Sequence, residues 1–203
     1  LLTNDQQELK LKCNKLLKLN LDYFTSFNKD SSNKIILPFG IHPIMNSHIP
    51  KIISKKRNRI LFYGSNDLIY DSKEVTDYFG LTSRSEVFRA IEKSGFNVVS
   101  PDNFKMLEHK LNSPEIENAF FFLDSSKVWI PANKWLKILG MFDFFIATPG
   151  VKMPHAHNVI EAMSLNVIPI IEYVEWFSPK LMHLHNCIHF DNKEELISRI
   201  NQV

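Results

Sequence analysis

The chain has 203 residues, of which 44% are hydrophobic, 12% aromatic and 23% charged, with a formal net charge of +2. That composition excludes a disordered or low-complexity chain and supplies a core for one or two domains, a single α/β layer structure being the simpler arrangement. No apolar run approaches the ~18–20 residues that span a bilayer, and Cys13 and Cys187 alone offer no disulfide framework, which fits a reducing compartment.

The charge is unevenly placed. Residues 1–60 hold eleven Lys or Arg against four Asp or Glu, a net +7, and the remainder holds thirteen against eighteen, a net −5. A basic leader on an acidic body suggests a surface that meets phosphates, acidic lipid or another protein; the plainer alternative is a solvated helix and a Lys/Arg-rich loop. Nucleic acid is not expected, because the basic stretches lack interleaved aromatics and no recognition motif appears. The opening residues are polar and lysine-rich, with no signal-peptide pattern. The expected location is therefore cytoplasmic, with peripheral contact at the inner face of a membrane, or with a partner domain, assigned to this basic segment.

In chain order, residues 5–28 read as a helix carrying Leu9, Leu11, Leu16, Leu17, Leu19 and Leu21 among lysines. A turn at 30–33, a short apolar run from Ile35 to Phe39, and a loop containing Pro43 and Pro50 follow. Residues 1–50 are thus a helical leader and linker, and 51–203 a Rossmann-like domain. Arg59 to Gly64 reads as a buried parallel strand. Ser83 and Glu86 form a capping box for a helix whose apolar face is Val87, Phe88 and Ile91 and which ends at Ser94-Gly95. Asn97 to Ser100 is the next strand, and 102–130 is less legible. Pro131 starts a helix with Trp135, Leu136, Ile138, Leu139 and Phe142 on one face. Strands at 144–147, 167–171 and 187–190 alternate with a short helix that starts near His157 and with helices at 178–184 and 193–201. This alternation predicts a parallel sheet with helices on both faces.

In open α/β sheets, ligands bind beyond the carboxyl ends of the strands. The informative stretch is Thr148 to Met163, which leaves a strand and enters a helix near His157. Val159, Ile160 and Met163 are expected to pack on the sheet. Asn158, Glu161 and Ser164, with His157 one turn from Glu161, form a polar stripe on the opposite side. Free N–H groups and the positive dipole end make the helix start an anion site. Backbone donors for a diphosphate and a carboxylate a turn further on for ribose hydroxyls read as nucleotide binding. The alternative is a surface helix with Glu161 solvated and His157 capping.

Other residues are read as structural. His183, His185, Cys187 and His189 alternate, but a helix through His183 breaks the pattern, and one strand rarely supplies a tetrahedral point, so no metal is expected. His155 and His157 suit phosphate contact or capping better than a metal. Phe120 to Phe122 and Trp176-Phe177 read as core, with Trp176 near the ligand edge. The motifs of dinucleotide dehydrogenases, P-loop NTPases and serine hydrolases are absent.

The run Phe-Phe-Ile-Ala-Thr-Pro-Gly-Val-Lys-Met-Pro-His-Ala-His-Asn-Val-Ile-Glu-Ala-Met-Ser-Leu-Asn-Val-Ile-Pro-Ile, residues 144–170, resembles the donor-binding core of GT-B-fold glycosyltransferases. It is most similar to exostosin-like and bacterial surface-polysaccharide enzymes, where a loop precedes an E-A-[ML]-x-x-G-x-[IV]-P-[IV] pattern. Arg59 to Gly64, Val128 to Leu136, Asn186 to Phe190 and the link Leu37 to Pro43 match in order, so the resemblance covers roughly residues 35–200. Asn166 stands where that family usually has glycine; Asn tolerates the left-handed conformation a helix end needs.

The resemblance implies transfer of a sugar from a nucleoside-diphosphate sugar to a saccharide acceptor in surface-glycan synthesis. It assigns Glu161 to the ribose or sugar hydroxyls. The loop from Gly150 through His155 and His157 to Asn158 would face the diphosphate, and Gly64 and Ser65 the phosphate or acceptor cleft. Arg84 becomes a cation for the leaving diphosphate, whose developing charge fixed donors stabilise. No metal or cofactor is required, the nucleotide-sugar being the substrate. Set against that family, the chain is expected to be the donor-binding half, with the acceptor half and its general base outside it or reduced to residues 1–50. The alternative function is a non-catalytic α/β module that binds a ligand or partner.

Overall fold

Short apolar runs rich in Phe, Ile and Val become strands when both of their faces are covered. The computed structural model describes residues 59–71, 73–113, 116–150, 154–177 and 179–202. The expected leader helix, the turn at 30–33, the run 35–39 and the basic residues before Arg59 lie outside the described residues. In chain order the elements are β1 (Ile60–Gly64), α1 (Lys73–Phe79), α2 (Arg84–Lys93), β2 (Asn97–Val99), α3 (Phe104–Asn112) and β3 (Ala119–Asp124). Then come α4 (Ala132–Leu139), β4 (Phe144–Ala147), α5 (His157–Ser164), β5 (Ile168–Ile171), β6 (Ile188–His189) and α6 (Lys193–Ile200). Short 3-10 turns lie at Leu68–Asp71 and Val174–Trp176. No helix among the described residues is long and apolar enough to cross a membrane.

The six strands form one parallel sheet in the order β2-β3-β1-β4-β5-β6. The fold class is therefore the expected one, an α/β Rossmann-like sheet with helices on both faces. Its order differs from the common 3-2-1-4-5-6 by an exchange of β2 and β3. Right-handed crossovers explain which helix covers which face. The chain moves outward from β1 to β2 through α2. It then moves back through α3, and on through α4 and α5, so these three must lie on the opposite face. The packing agrees: Leu107, Leu111, Trp135, Leu136, Val159 and Ala162 share one apolar cluster, while Val87, Phe88, Ile91, Leu196 and Ile200 share the other.

The phenylalanine runs feed both clusters. Period-two alternation sends Leu61, Phe121 and Phe145 to the face of α3, α4 and α5, and Ile60, Phe62, Phe120 and Ile146 to the face of α2 and α6. Phe62, Phe88 and Phe122 meet as a trio with centroids 4.5–5.5 Å apart. Burying each such ring contributes about 1.5–3 kcal/mol.

Local signals are realised in atomic detail. Ser83 Oγ accepts the Glu86 N–H and Glu86 accepts the Ser83 N–H, closing the capping box of α2. Asn166 follows α5 at φ 57°, the left-handed conformation expected of it. Two readings change. Arg59 is not part of a solvated basic surface: it is 1% exposed, and its guanidinium donates to the carbonyls of Leu111 (2.9 Å), Ser113 (3.1 Å) and Ile116 (2.6 Å). It thereby ties the end of α3, at Leu111 and the C-cap Ser113, to the Ile116 carbonyl beyond it. Nor is there a helix through His183. Residues 179–182 are irregular, and His183 bridges to Cys187 around a turn in which Leu184 takes φ 59°. Asn186 Oδ1 accepts the Met182 N–H (2.8 Å), a side-chain contact that stabilises the turn over a helix.

Candidate functional site

The winding direction reverses between β1 and β4, so their carboxyl ends diverge and leave a crevice, the usual ligand position of such sheets. Side chains bridge it. Asn158 at the start of α5 donates to the Tyr63 carbonyl of β1 (3.4 Å). Arg84, at the start of α2, is 7% exposed and donates to Thr148 Oγ1 (3.0 Å), to the Pro149 carbonyl (3.3 Å) and to the Ser65 carbonyl. Its guanidinium carbon lies 3.6 Å from the Tyr70 ring centroid. Burial pushes the Arg84 pKa below its usual value, with Tyr70 acting in the opposite direction. Gly64 matters because two side chains crowd it: a Cβ there would lie 3.0 Å from the Phe62 ring and 3.5 Å from the Arg84 guanidinium. Ser65 turns its hydroxyl to the Asp67 N–H (3.1 Å).

On the α4–α5 face of this crevice is a cavity of about 220 Å³ lined by Tyr63, Trp129, Ile130, Ala132, Trp135, His157 and Asn158. Strand alternation delivers Tyr63, whose ring centroid lies 4.8 Å from that of Trp135. Trp129 is 71% exposed on the loop that joins β3 to α4. Helix α5 opens beside them with Ala156 at its N-cap and no side-chain cap, so His157 is the first helical residue rather than the cap. A cavity with aromatic walls and a helix N-terminus at its rim suits a ligand that joins a flat ring to an anion.

The expected polar stripe does not face solvent as a unit. His157 is exposed and Asn158 half-buried, but Glu161 has no exposed surface. Glu161 Oε2 instead accepts the Trp135 indole N–H at 2.6 Å, and its Oε1 has no hydrogen-bond partner among the described residues. The reason is α4: it covers that side of α5, so a stripe polar in sequence becomes a contact between helices. Gly150 is half-buried at the near end of the loop, and residues 151–153 lie outside the described residues. His155 is turned toward Trp176, whose carbonyl its Nε2 meets, with the Phe177 ring 5.0 Å away. Burial lowers the His155 pKa, opposed by that backbone contact.

The structure thus brings His157 and Asn158 to the cavity, places Glu161 behind its wall, and commits Arg84 to the loops around Gly64 and Ser65. His155 packs with Trp176 instead. Among the described residues, no group of three or more His, Cys, Asp or Glu is placed to hold a metal ion. Tyr63, Trp129 and Trp135 were not legible as site residues. The available signal was a tryptophan two residues before the Pro131 that precedes α4. Comparison with protein-family models, curated proteins and solved structures returns no match.

Proposed function

We propose that this domain binds a nucleoside-diphosphate sugar, as the donor-binding half of a GT-B-type glycosyltransferase that transfers the sugar to a saccharide acceptor in surface-glycan synthesis. The observation that carries the reading is the uncapped start of α5 opening beside an aromatic-walled cavity at the switch point of a parallel sheet. The diphosphate lies against the first N–H groups of α5, beside His157 and Asn158, and a ring of the ligand lies between Trp129 and the Tyr63–Trp135 pair. The resemblance of residues 144–170 to GT-B donor cores supports the same assignment. The basic excess of residues 1–58, ten Lys or Arg against four Asp or Glu, supports contact with an anionic membrane face or a partner domain, at a cytoplasmic location.

Titration with UDP, GDP and CMP tests it, with Trp129→Ala as the cavity control. Trp129 is exposed, so its loss spares the core. Saturable binding of a nucleoside diphosphate, weakened at least about tenfold by Trp129→Ala, is expected. Silence toward all three nucleotides refutes the reading. A second reading, a binding module without catalysis, has its own observation: no carboxylate is among the described residues that line the cavity. Sugar transfer by the 203-residue chain alone would exclude it.

A further inference from the structure

We propose that Glu161 is a positioning residue that acts on the occupant of the cavity through Trp135, rather than by touching the ligand. The inference rests on the nucleotide-binding reading and departs from the direct hydroxyl contact that the sequence resemblance implies. Trp135 is a wall of the cavity, and Glu161 is not among its lining residues. Glu161 has no exposed surface and Trp135 only 4%. The indole N–H, the single donor of that side chain, reaches Glu161 Oε2 at 2.6 Å. On its other side the ring meets Tyr63 at 4.8 Å, and Tyr63 is itself engaged through its hydroxyl by the Ile130 N–H at 3.5 Å.

The choice of residue types follows from this geometry. An indole has two side-chain torsions, so pinning its N–H while Tyr63 packs against it fixes the plane of the ring. A carboxylate is the strongest acceptor available for the purpose, because charge-assisted hydrogen bonds are shorter and stronger than neutral ones. Keeping it buried is unfavourable, the more so because Oε1 has no partner among the described residues. That arrangement makes sense where the orientation of Trp135 sets the wall, shared with Tyr63, against which a ligand ring rests.

The experiment uses the full chain. The three indole N–H cross-peaks of Trp129, Trp135 and Trp176 are assigned in a nitrogen–proton correlation spectrum by single Trp→Phe substitutions. UDP and GDP are then titrated into wild type, Glu161→Ala, Glu161→Gln, Trp135→Phe and the Glu161→Ala/Trp135→Phe double variant. Glu161→Gln keeps a neutral carbonyl acceptor for the indole and should move the Trp135 peak less than Glu161→Ala does, with affinity within about twofold of wild type. Glu161→Ala should displace that peak and weaken binding about tenfold, yet cost almost nothing further in the Trp135→Phe background. Equal losses from Glu161→Ala in both backgrounds would show direct ligand contact and overturn the proposal. So would an unmoved Trp135 peak in Glu161→Ala. If Trp135→Phe fails to fold, the comparison of Glu161→Gln with Glu161→Ala, peak and affinity together, decides. If neither UDP nor GDP binds wild type, the nucleotide reading fails by itself, and the Trp135 peak still judges the positioning link.

Discussion

Replacing Arg84 with lysine keeps the positive charge and removes the planar fork. Three oxygens now share the guanidinium: Thr148 Oγ1 at 3.0 Å, the Pro149 carbonyl at 3.3 Å and the Ser65 carbonyl. A lysine ammonium at the same place serves one of them well, leaving two buried acceptors short of a donor. Hydrogen bonds to charged groups are worth about 1.5–3 kcal/mol, so two losses at the lower end come to about 3 kcal/mol. The face-on contact with Tyr70 at 3.6 Å is weakened as well. For a domain of this size that is a fall in Tm of about 6–12 °C. Thermal unfolding followed by circular dichroism measures it, beside a nucleotide titration. A Tm within about 2 °C of wild type, combined with lost nucleotide affinity, would refute the reasoning. Arg84 would then be a ligand cation, as the resemblance implies, and not the tie between the β1 and β4 loops.

Two further outcomes follow from other residues. Burial raises the Glu172 carboxyl above its ordinary value of 4.5, partly offset by hydrogen bonds from the Thr82 N–H (2.8 Å) and hydroxyl (3.0 Å). A raised folded-state pKa gives stability that is present below the unfolded value and lost as pH rises through the folded one. The urea midpoint should therefore carry a declining component above about pH 4.5 that Glu172→Gln removes; an unchanged pH profile in that variant would contradict the assignment. Leu184 is 81% exposed and holds φ 59°, a conformation that costs a branched side chain about 1–2 kcal/mol. Leu184→Gly should be neutral to stabilising, by up to about 1 kcal/mol, in chemical denaturation. A loss of 1 kcal/mol or more would show that the exposed leucine has a packing role.

Much of the framework was legible because its signals are local. The capping box at Ser83 and Glu86, Pro131 before α4, the helix start near His157 and Asn166 in the left-handed region each depend on neighbours within one turn. The alternation of strand and helix implied a parallel sheet for the same reason, since each βαβ unit closes on itself. The helix expected through His183 failed where side-chain contacts within the 182–187 turn prevail over helical spacing.

What the chain alone could not decide was which residues meet across the sheet. The strand order comes from long-range pairing: it puts α4 beside α5 on one face, and the exchange of β2 and β3 brings α3 to that face as well. That grouping turns Trp135 toward Glu161, converting a stripe that reads as a solvated ligand edge into a buried contact. It also brings Tyr63 to Trp129 and Trp135, which lie far from it in sequence, around one cavity. The residue types were present in the sequence; their partners were not, because burial and hydrogen bonding between helices are set by the order in which strands pair.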